Sequence, residues 1–205
     1  MRLKAALAIG SNPDPSLLDT LIERCAAEPD FYARDMLTWA LVRLPPKIVV
    51  PRLVTELRSE RSQARSQALH TLSKIKDSDA WLAITRSLLR DPDDEVARSA
   101  WRAAVILVPQ GQEKDLAEEL AMQFGRGDRD LQLSLSRALV ALGEEVIGPV
   151  LRSAAASADP AVQAHANATE RILCDPNAGS ERAVDVAKRR FVLGQEEPPP
   201  DLPPR

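Results

Sequence analysis

A pattern of small and apolar residues recurs five times along the chain, and this internal repeat constrains the fold more than any other feature. The copies begin at Ala33, Ala64, Val96, Leu131 and Val162, so the steps between them are 31, 32, 35 and 31 residues. Small or apolar residues also stand four and seven positions after each start. This spacing forms one face of an α-helix, so the repeat predicts a stack of similar helical units.

Aspartates precede four of the five copies by three residues, where they can cap the free backbone N–H groups of a helix start. These residues are Asp30, Asp93, Asp128 and Asp159. The second copy has Arg61 at this position, so its predicted cap is Ser62. Each copy is therefore expected to begin a helix at the same point of its unit.

A second apolar segment with helical spacing precedes each of these helices. Pro51 and Pro149 lie at the same offset in their segments, 13 residues before the start of their copies (64−51 and 162−149), and fix or kink the entry of the helix. The chain is thus predicted to form five units of helix, turn and helix. Their approximate bounds are 14–44, 45–76, 77–109, 110–143 and 144–175.

The sequence around the last two units predicts further departures from regularity. Glycines in Gly125-Arg126-Gly127 interrupt the fourth unit and predict a wide, mobile turn. After the fifth unit, residues 180–193 form an amphipathic pattern that predicts a capping helix. Residues 195–205 are rich in proline and acid, which predicts a disordered tail. Residues 1–194 are expected to form one domain.

The third unit, in residues 89–100 (Leu-Arg-Asp-Pro-Asp-Asp-Glu-Val-Ala-Arg-Ser-Ala), resembles a HEAT repeat of the short bacterial kind. The resemblance extends over about residues 14–175. It implies an all-α fold, a right-handed α-solenoid of about five helical hairpins. It also implies a non-enzymatic adaptor or scaffold that binds a protein or peptide partner on its concave face.

Composition supports a helical protein without a strong preference for nucleic acid. Only 3% of the 205 residues are aromatic, whereas β-rich folds draw heavily on aromatic side chains. Lys and Arg number 27 and Asp and Glu number 30, so the net charge of −3 makes nucleic acid an unlikely partner. The apolar stretch at the N-terminus is short, and no run approaches the roughly 18 residues that span a membrane. We therefore expect a cytoplasmic protein without membrane association.

No motif for catalysis, cofactor binding or metal binding is present in the sequence. It has no glycine-rich phosphate loop, no H-E-x-x-H and no G-x-S-x-G. His70 and His165 are three repeats apart and are not expected to converge. Cys25 and Cys174 match no metal spacing and are predicted to be small core residues rather than a disulfide. We accordingly predict no enzyme activity and no cofactor.

The second helix of each unit supplies the predicted binding surface, because the resemblance places these helices on the concave face. Several Arg and Trp side chains, which are typical of interaction hot spots, occur there at positions away from the core stripe. The candidates are Arg34, Trp39, Arg65, His70, Arg98, Trp101, Arg102 and Arg137. We expect Arg98, Arg102 and Arg137 to pair with an acidic partner. Alternatively, Trp39 and Trp101 pack between helices and the arginines only confer solubility.

Two other functions are open because short HEAT-like repeats also occur in bilin lyases and in alkylpurine DNA glycosylases. A lyase would need a chromophore pocket, and Tyr32 and Trp39 alone make a poor one. A glycosylase would need a basic groove and a catalytic acid, and the arginine stripe meets the first need weakly. The identity of the partner and the oligomeric state are not given by the sequence.

Overall fold

The computed structural model of the chain describes residues 2–175, and every regular element within that range is a helix. The all-α prediction is thereby confirmed. The predicted capping helix at 180–193 and the tail at 195–205 lie outside the described residues. The α-helices are α1 (Arg2–Ser11), α2 (Leu18–Ala27), α3 (Phe31–Val42), α4 (Pro46–Glu56), α5 (Ser62–Ile75), α6 (Arg86–Leu89), α7 (Asp94–Leu107), α8 (Glu113–Ala121), α9 (Arg129–Val140), α10 (Glu144–Ala155) and α11 (Pro160–Cys174).

These helices pack in two layers, as expected for an α-solenoid. The second helices of the hairpins, α3, α5, α7, α9 and α11, contact one another in chain order and form one layer. The first helices, among them α4, α6, α8 and α10, form the other layer. Helix α1 precedes the first hairpin and packs against α3. The handedness of the solenoid stays a prediction.

Aspartate side chains cap the starts of α3, α7, α9 and α11, which confirms the four predicted caps. Asp30, for example, accepts a hydrogen bond from the backbone N–H of Ala33 at 2.8 Å. Asp93, Asp128 and Asp159 do the same for their helices. The prediction for Ser62 is wrong, since Arg61 holds the N-cap position of α5 without a side-chain bond.

The Ser62 hydroxyl is bonded instead to Asp93, the cap of the next second helix. Burial alone would raise the pKa of Asp93. The hydrogen bonds from Ser62, Val96 and Glu95 outweigh burial, so the pKa of Asp93 is lowered. The capping carboxylate of the third repeat therefore also interacts with the first residue of α5 in the repeat before it.

The first segment of the third repeat is not one helix. Residues Ser78–Ala83 form a 3-10 helix, Ile84 and Thr85 are extended, and a single turn follows in α6. Asp77 caps the 3-10 turn, and Ala80 and Ile84 are buried. The two short turns and the link between them thus bury Ala80, Ile84, Leu88 and Leu89.

Pro51 and Pro149 each lie inside a first-layer helix, at its sixth residue by the bounds of α4 and α10. Both prolines are exposed. Proline inside a helix removes one backbone hydrogen bond, and solvent can serve the freed carbonyl when the proline faces outward. The equal offset of the two prolines in the sequence therefore reflects equal positions on the outside of the first layer.

Ion pairs join neighbouring repeats across the stack. The Arg52 Nε atom lies 2.6 Å from the Asp19 carboxylate, joining the first two repeats. Arg65 pairs with Asp91 in a bidentate arrangement, at 3.0 and 3.1 Å, and joins the second and third. Arg90 pairs with the buried Glu119 across the third and fourth repeats. Such pairs hold one repeat at a defined rotation on the next.

The glycine-containing turn before α9 is held by hydrogen bonds, in contrast to the mobile turn expected from its composition. Gly125 and Gly127 have positive φ values of 82° and 69°, which favour glycine. The Gln132 amide donates to the carbonyls of both glycines. The Arg126 guanidinium donates to Asp94 at 2.7 Å. The turn is therefore tied to its own helix and to the preceding repeat.

Candidate functional site

A groove of about 210 Å³ crosses the second helices of the first three repeats. It contains polar side chains from the N-terminal halves or middles of α3, α5 and α7. The lining residues are Phe31, Arg34, Asp35, Ser66, Gln67, His70, Glu95, Ser99 and Arg102. We call this surface the α3–α5–α7 groove. It lies in the helix layer that the sequence predicted to bind a partner, and it includes Arg34, His70 and Arg102 of the predicted residues.

Arg102 is one of two arginines in the groove that have no acidic partner within the described residues; the other is Arg34. The Arg102 Nε atom donates to the Arg98 carbonyl at 3.3 Å, and among residues 2–175 no ion pair is formed by its guanidinium. Glu95 is paired with Arg98 instead, at 3.3 Å. Burial lowers the pKa of Arg102, partly offset by the nearby charge of Glu95. A carboxylate from a bound molecule would complete this site.

Asp35 is the corresponding free carboxylate at the α3 side of the groove. It is exposed, and within the described part of the chain it has no ion pair. The neighbouring Arg34 does not neutralise it, because the Arg34 Nη1 atom donates to the carbonyls of Glu28 and Pro29 at 2.9 and 2.7 Å. The groove therefore presents an unpaired carboxylate on α3, with the carbonyl-bonded Arg34 beside it, and an unpaired guanidinium on α7.

The guanidinium groups of Arg34 and Arg65 form hydrogen bonds with backbone carbonyls of their own repeats. Both stand one residue after the start of their copies, and the Arg65 Nη1 atom donates to the carbonyls of Ser59 and Glu60. Gln132 and Gln163, at the same register, bond the equivalent turns of the fourth and fifth repeats. This position closes the turn between the two helices of a repeat, and a contact of Arg34 or Arg65 with a partner stays a prediction.

Trp101 is a core residue, and its predicted place on the open face of the second helices is wrong. Its side chain is 0% exposed, and the indole N–H donates to the Leu89 carbonyl at 2.8 Å. The indole fills the space beside the short helix α6 and satisfies a carbonyl at the end of that helix. The alternative interpretation, that this tryptophan packs between helices, is the one that the structure shows.

Trp39 lies against the N-terminal helix and does not line the groove. Its ring is in contact with Gly10 of α1. The Arg43 guanidinium lies 5.2 Å from the ring centroid and forms a cation–π interaction with it. Helix α1, which the repeat pattern did not predict, thus covers one face of this half-buried residue. Trp39 serves to attach α1 to the first repeat.

The other predicted residues are distributed along the second helices. His70 is half-buried in the groove, where burial first and the charges of Lys74 and Arg102 next lower its pKa. Arg98 is half-buried and paired with Glu95. Arg137 is exposed on α9 and is not among the residues that line the groove. The structure therefore does not bring Arg137 together with Arg102 in this cavity.

The groove also has an exposed aromatic pair that the sequence pattern did not predict. Phe31 and Tyr32 are 66% and 72% exposed and meet edge to face, with ring centroids 5.6 Å apart. Phe31 lines the groove, and Tyr32 follows it in the first turn of α3. Exposed aromatic side chains are uncommon in a chain with 3% aromatic residues, so their position directly after the Asp30 cap was the available signal.

The two cysteines differ in environment. Cys25 is buried, and burial raises the pKa of its thiol to about 12, although the Thr38 hydroxyl and Arg34 act in the opposite direction. Cys174 is exposed at the end of α11, so its predicted place in the core is wrong. Within residues 2–175 both thiols are free, and no cluster of three His, Cys, Asp or Glu side chains has the arrangement of a metal site. None of the described helices is long and apolar enough to cross a lipid bilayer.

The two-layer stack of helical hairpins and the groove across its second helices define the chain as an all-α repeat protein. Residues 18–106 match the family model of HEAT repeats, which confirms the resemblance seen in the sequence. This segment consists of HEAT repeats and contains α2 to α6 together with nearly all of α7, including every residue that lines the groove. No curated protein matches the chain. HEAT repeats generally serve as protein-interaction scaffolds.

Proposed function

We propose that the chain is a non-enzymatic scaffold that binds a protein or peptide partner in the α3–α5–α7 groove. The observation that carries this proposal is the combination of the unpaired Arg102 guanidinium with the exposed Phe31–Tyr32 pair. A few residues provide most of the binding energy at protein interfaces, and arginine, tyrosine and tryptophan are enriched among them. Here an arginine and an aromatic pair lie on one rigid helix layer, so a partner could contact them without refolding the scaffold.

The size of the groove favours a macromolecule over a small cofactor. Its volume of about 210 Å³ is below the roughly 300–1,000 Å³ of typical small-molecule pockets. A groove of this size accommodates one or two side chains of a larger partner that also covers the rim.

The charge pattern favours a partner of mixed charge, with an acidic group facing α7. Arg102 would accept that acidic group, whereas Asp35 on α3 would repel it. The groove also contains a second carboxylate, Glu95. Asp35 and Glu95 would both repel the phosphates of a nucleic acid backbone, which supports a protein over a nucleic acid as the partner. Of the three arginines predicted to pair with an acidic partner, only Arg102 keeps that role in the groove, because Arg98 is already paired with Glu95 and Arg137 does not line the groove.

A capture experiment with matched variants tests the proposal. The tagged chain, its Arg102→Glu variant and its Arg171→Glu variant would be isolated from native cells, and bound proteins would be quantified by mass spectrometry. Arg171 is the control because it is exposed and its Nε also donates to the carbonyl four residues earlier, at 3.2 Å. We expect recovery of the true partner to fall at least tenfold for Arg102→Glu only.

Circular dichroism and a melting curve would first establish that both variants fold like the parent chain. A further variant, Tyr32→Ser, removes an exposed ring and should weaken capture without changing the helices. If a folded Arg102→Glu variant retains every protein that the parent captures, the groove is not the binding site and the proposal is wrong.

A further inference from the structure

We propose that the α3–α5–α7 groove binds the chain's own C-terminal segment, residues 195–205 (Gln-Glu-Glu-Pro-Pro-Pro-Asp-Leu-Pro-Pro-Arg), and that this segment competes with the external partner. The inference rests on the proposed function, since it regulates the same groove. It is carried by three observations: the free charges of the groove, its exposed aromatic pair, and the length of chain beyond α11.

The charges of the segment are complementary to those that the groove leaves unpaired. Glu196 and Glu197 stand near its beginning, Asp201 stands in its middle, and Arg205 stands at its end. Arg102 on α7 is a guanidinium of the groove without an ion pair and, unlike Arg34, without a bond to the inter-helix turn, and the unpaired carboxylate is on α3 at Asp35. An arrangement with the acidic end on α7 and the basic end on α3 pairs both.

The prolines of the segment are complementary to the aromatic pair. Pro203 and Pro204 directly precede Arg205, so in this arrangement they would reach α3 beside Phe31 and Tyr32. Proline-rich peptides bind to exposed aromatic side chains because their extended helix is formed before binding and loses little entropy. The exposed rings thereby acquire apolar partners.

The dimensions are compatible with this arrangement. Helices α3 and α7 are two positions apart in the second layer, a separation of roughly 16–20 Å at 8–10 Å per packed pair. Residues 197 and 203 differ by six positions, which is about 19 Å in a polyproline helix at 3.1 Å per residue. The acidic and proline contacts would therefore be spaced like the two sides of the groove.

The connecting chain is long enough to reach the groove. Helix α11 ends at Cys174, and residues 176–195 can span up to roughly 66–72 Å when extended. The second layer from α11 to α3 includes four helix spacings, or about 32–40 Å. A single molecule can therefore place residues 195–205 on its own α3–α5–α7 groove.

A titration with a labelled peptide tests this inference. A fluorescein-labelled peptide of residues 195–205 would be added to the full chain and to its Glu196→Lys/Glu197→Lys variant, with binding followed by fluorescence anisotropy. In the parent chain the natural segment already occupies the groove, so we expect the variant to bind the peptide at least tenfold more tightly. Adding Arg102→Glu to that variant should weaken binding at least tenfold, and adding Arg171→Glu should leave it unchanged.

A charge-swapped peptide keeps the test valid if Arg102→Glu alters the fold. A peptide that carries Glu196→Lys and Glu197→Lys should bind the Arg102→Glu chain better than the natural peptide does. Equal peptide affinity for the parent chain and the tail variant, or no effect of Arg102→Glu, would overturn the inference.

The two proposals fail in different ways. If partner capture depends on Arg102 but the peptide does not bind, the inference about the C-terminal segment is wrong and the scaffold proposal stands. If the peptide binds through Arg102 but no captured protein depends on Arg102, the scaffold proposal is wrong. If both are right, the Glu196→Lys/Glu197→Lys chain should capture more partner than the parent chain.

Discussion

His165 shows how a single polar side chain is accommodated in a core built from alanine and leucine. Its Nδ1 atom accepts a hydrogen bond from the Gly125 backbone N–H at 3.1 Å, so Nδ1 carries no proton. The proton is therefore on Nε2, which donates to the Gln132 carbonyl at 2.9 Å. The Phe124 ring meets the imidazole edge to face at 4.9 Å. A second proton would have to replace the bond from Gly125.

The stability of the fold should accordingly fall as the pH falls through the range where a free histidine titrates. Burial lowers the pKa of His165, with the Gln132 carbonyl acting in the opposite direction. Below about pH 6.5 the unfolded chain takes up a proton that the folded chain does not, so the free energy of unfolding decreases toward acid. We expect a loss of up to about 1.4 kcal/mol per pH unit from this residue, measured by urea unfolding between pH 7 and 5.

His70 contributes in the same direction, because burial also lowers its pKa. The two contributions separate in the variants His165→Gln and His70→Gln, each of which should lose part of the pH dependence. An unfolding free energy that is the same at pH 7 and pH 5 would contradict the neutral, hydrogen-bonded state of His165.

At the scale of elements, helix α1 is an addition to the repeat array that depends on one glycine. The Trp39 ring occupies the space where a Cβ atom at Gly10 would lie. The Arg43 guanidinium covers the ring from another side, so the indole cannot move away without losing that contact. The close approach of α1 to α3 therefore requires the absence of a side chain at position 10.

Gly10→Ala should detach α1 even though alanine is the better helix former. A matched control is Gly148→Ala in α10, where the added Cβ meets only the flexible end of Arg152 at 3.3 Å. Alanine at this second helical glycine should raise stability by about 0.5–1 kcal/mol. Gly10→Ala should lower it and should expose the N-terminal residues to limited proteolysis. Equal proteolysis of the parent chain and Gly10→Ala would contradict the packing of α1 on Trp39.

At the scale of the whole molecule, stability depends on how each repeat is held on the next. The junction between the third and fourth repeats includes a buried carboxylate, since the Glu119 side chain is 7% exposed. Arg86 and Arg90 reach it from the preceding repeat. Each repeat of a stack contacts only its neighbours, so the cooperativity of unfolding between adjacent repeats depends on such interfaces.

Glu119→Gln should lower the free energy of unfolding by weakening the interface between the third and fourth repeats, rather than by destabilising an individual helix. Removing one partner of a fully buried ion pair costs about 3–5 kcal/mol. We expect about 1–2 kcal/mol here, because the heads of Arg86 and Arg90 are partly in water. Hydrogen exchange should accelerate in α8 to α11 more than in α2 to α5. The neighbouring exposed Glu118→Gln is the control and should change neither quantity.

Much of the local structure could be predicted from the sequence because it depends on residues that are close together in the chain. The Asp30, Asp93, Asp128 and Asp159 caps bond N–H groups two or three residues away, so their identity and spacing were sufficient. The apolar residues at the first position and four later determined which face of each second helix is buried.

Residues whose role depends on another repeat could not be placed in this way. Helical spacing predicted that Trp101 lies beside an exposed stripe. In the structure its ring is buried beside the short helix α6, where the indole N–H donates to the Leu89 carbonyl. Tertiary contacts with α1 similarly decided the position of Trp39. Only the packing of α3, α5 and α7 showed which charges are free, since Glu95 pairs with Arg98 and leaves Arg102 without an acidic partner in the α3–α5–α7 groove.

The sequence by itself determined the repeat and its helix starts through short-range bonding. The tertiary structure decided the lining of the α3–α5–α7 groove, because burial and charge pairing are set by residues about one repeat or more apart.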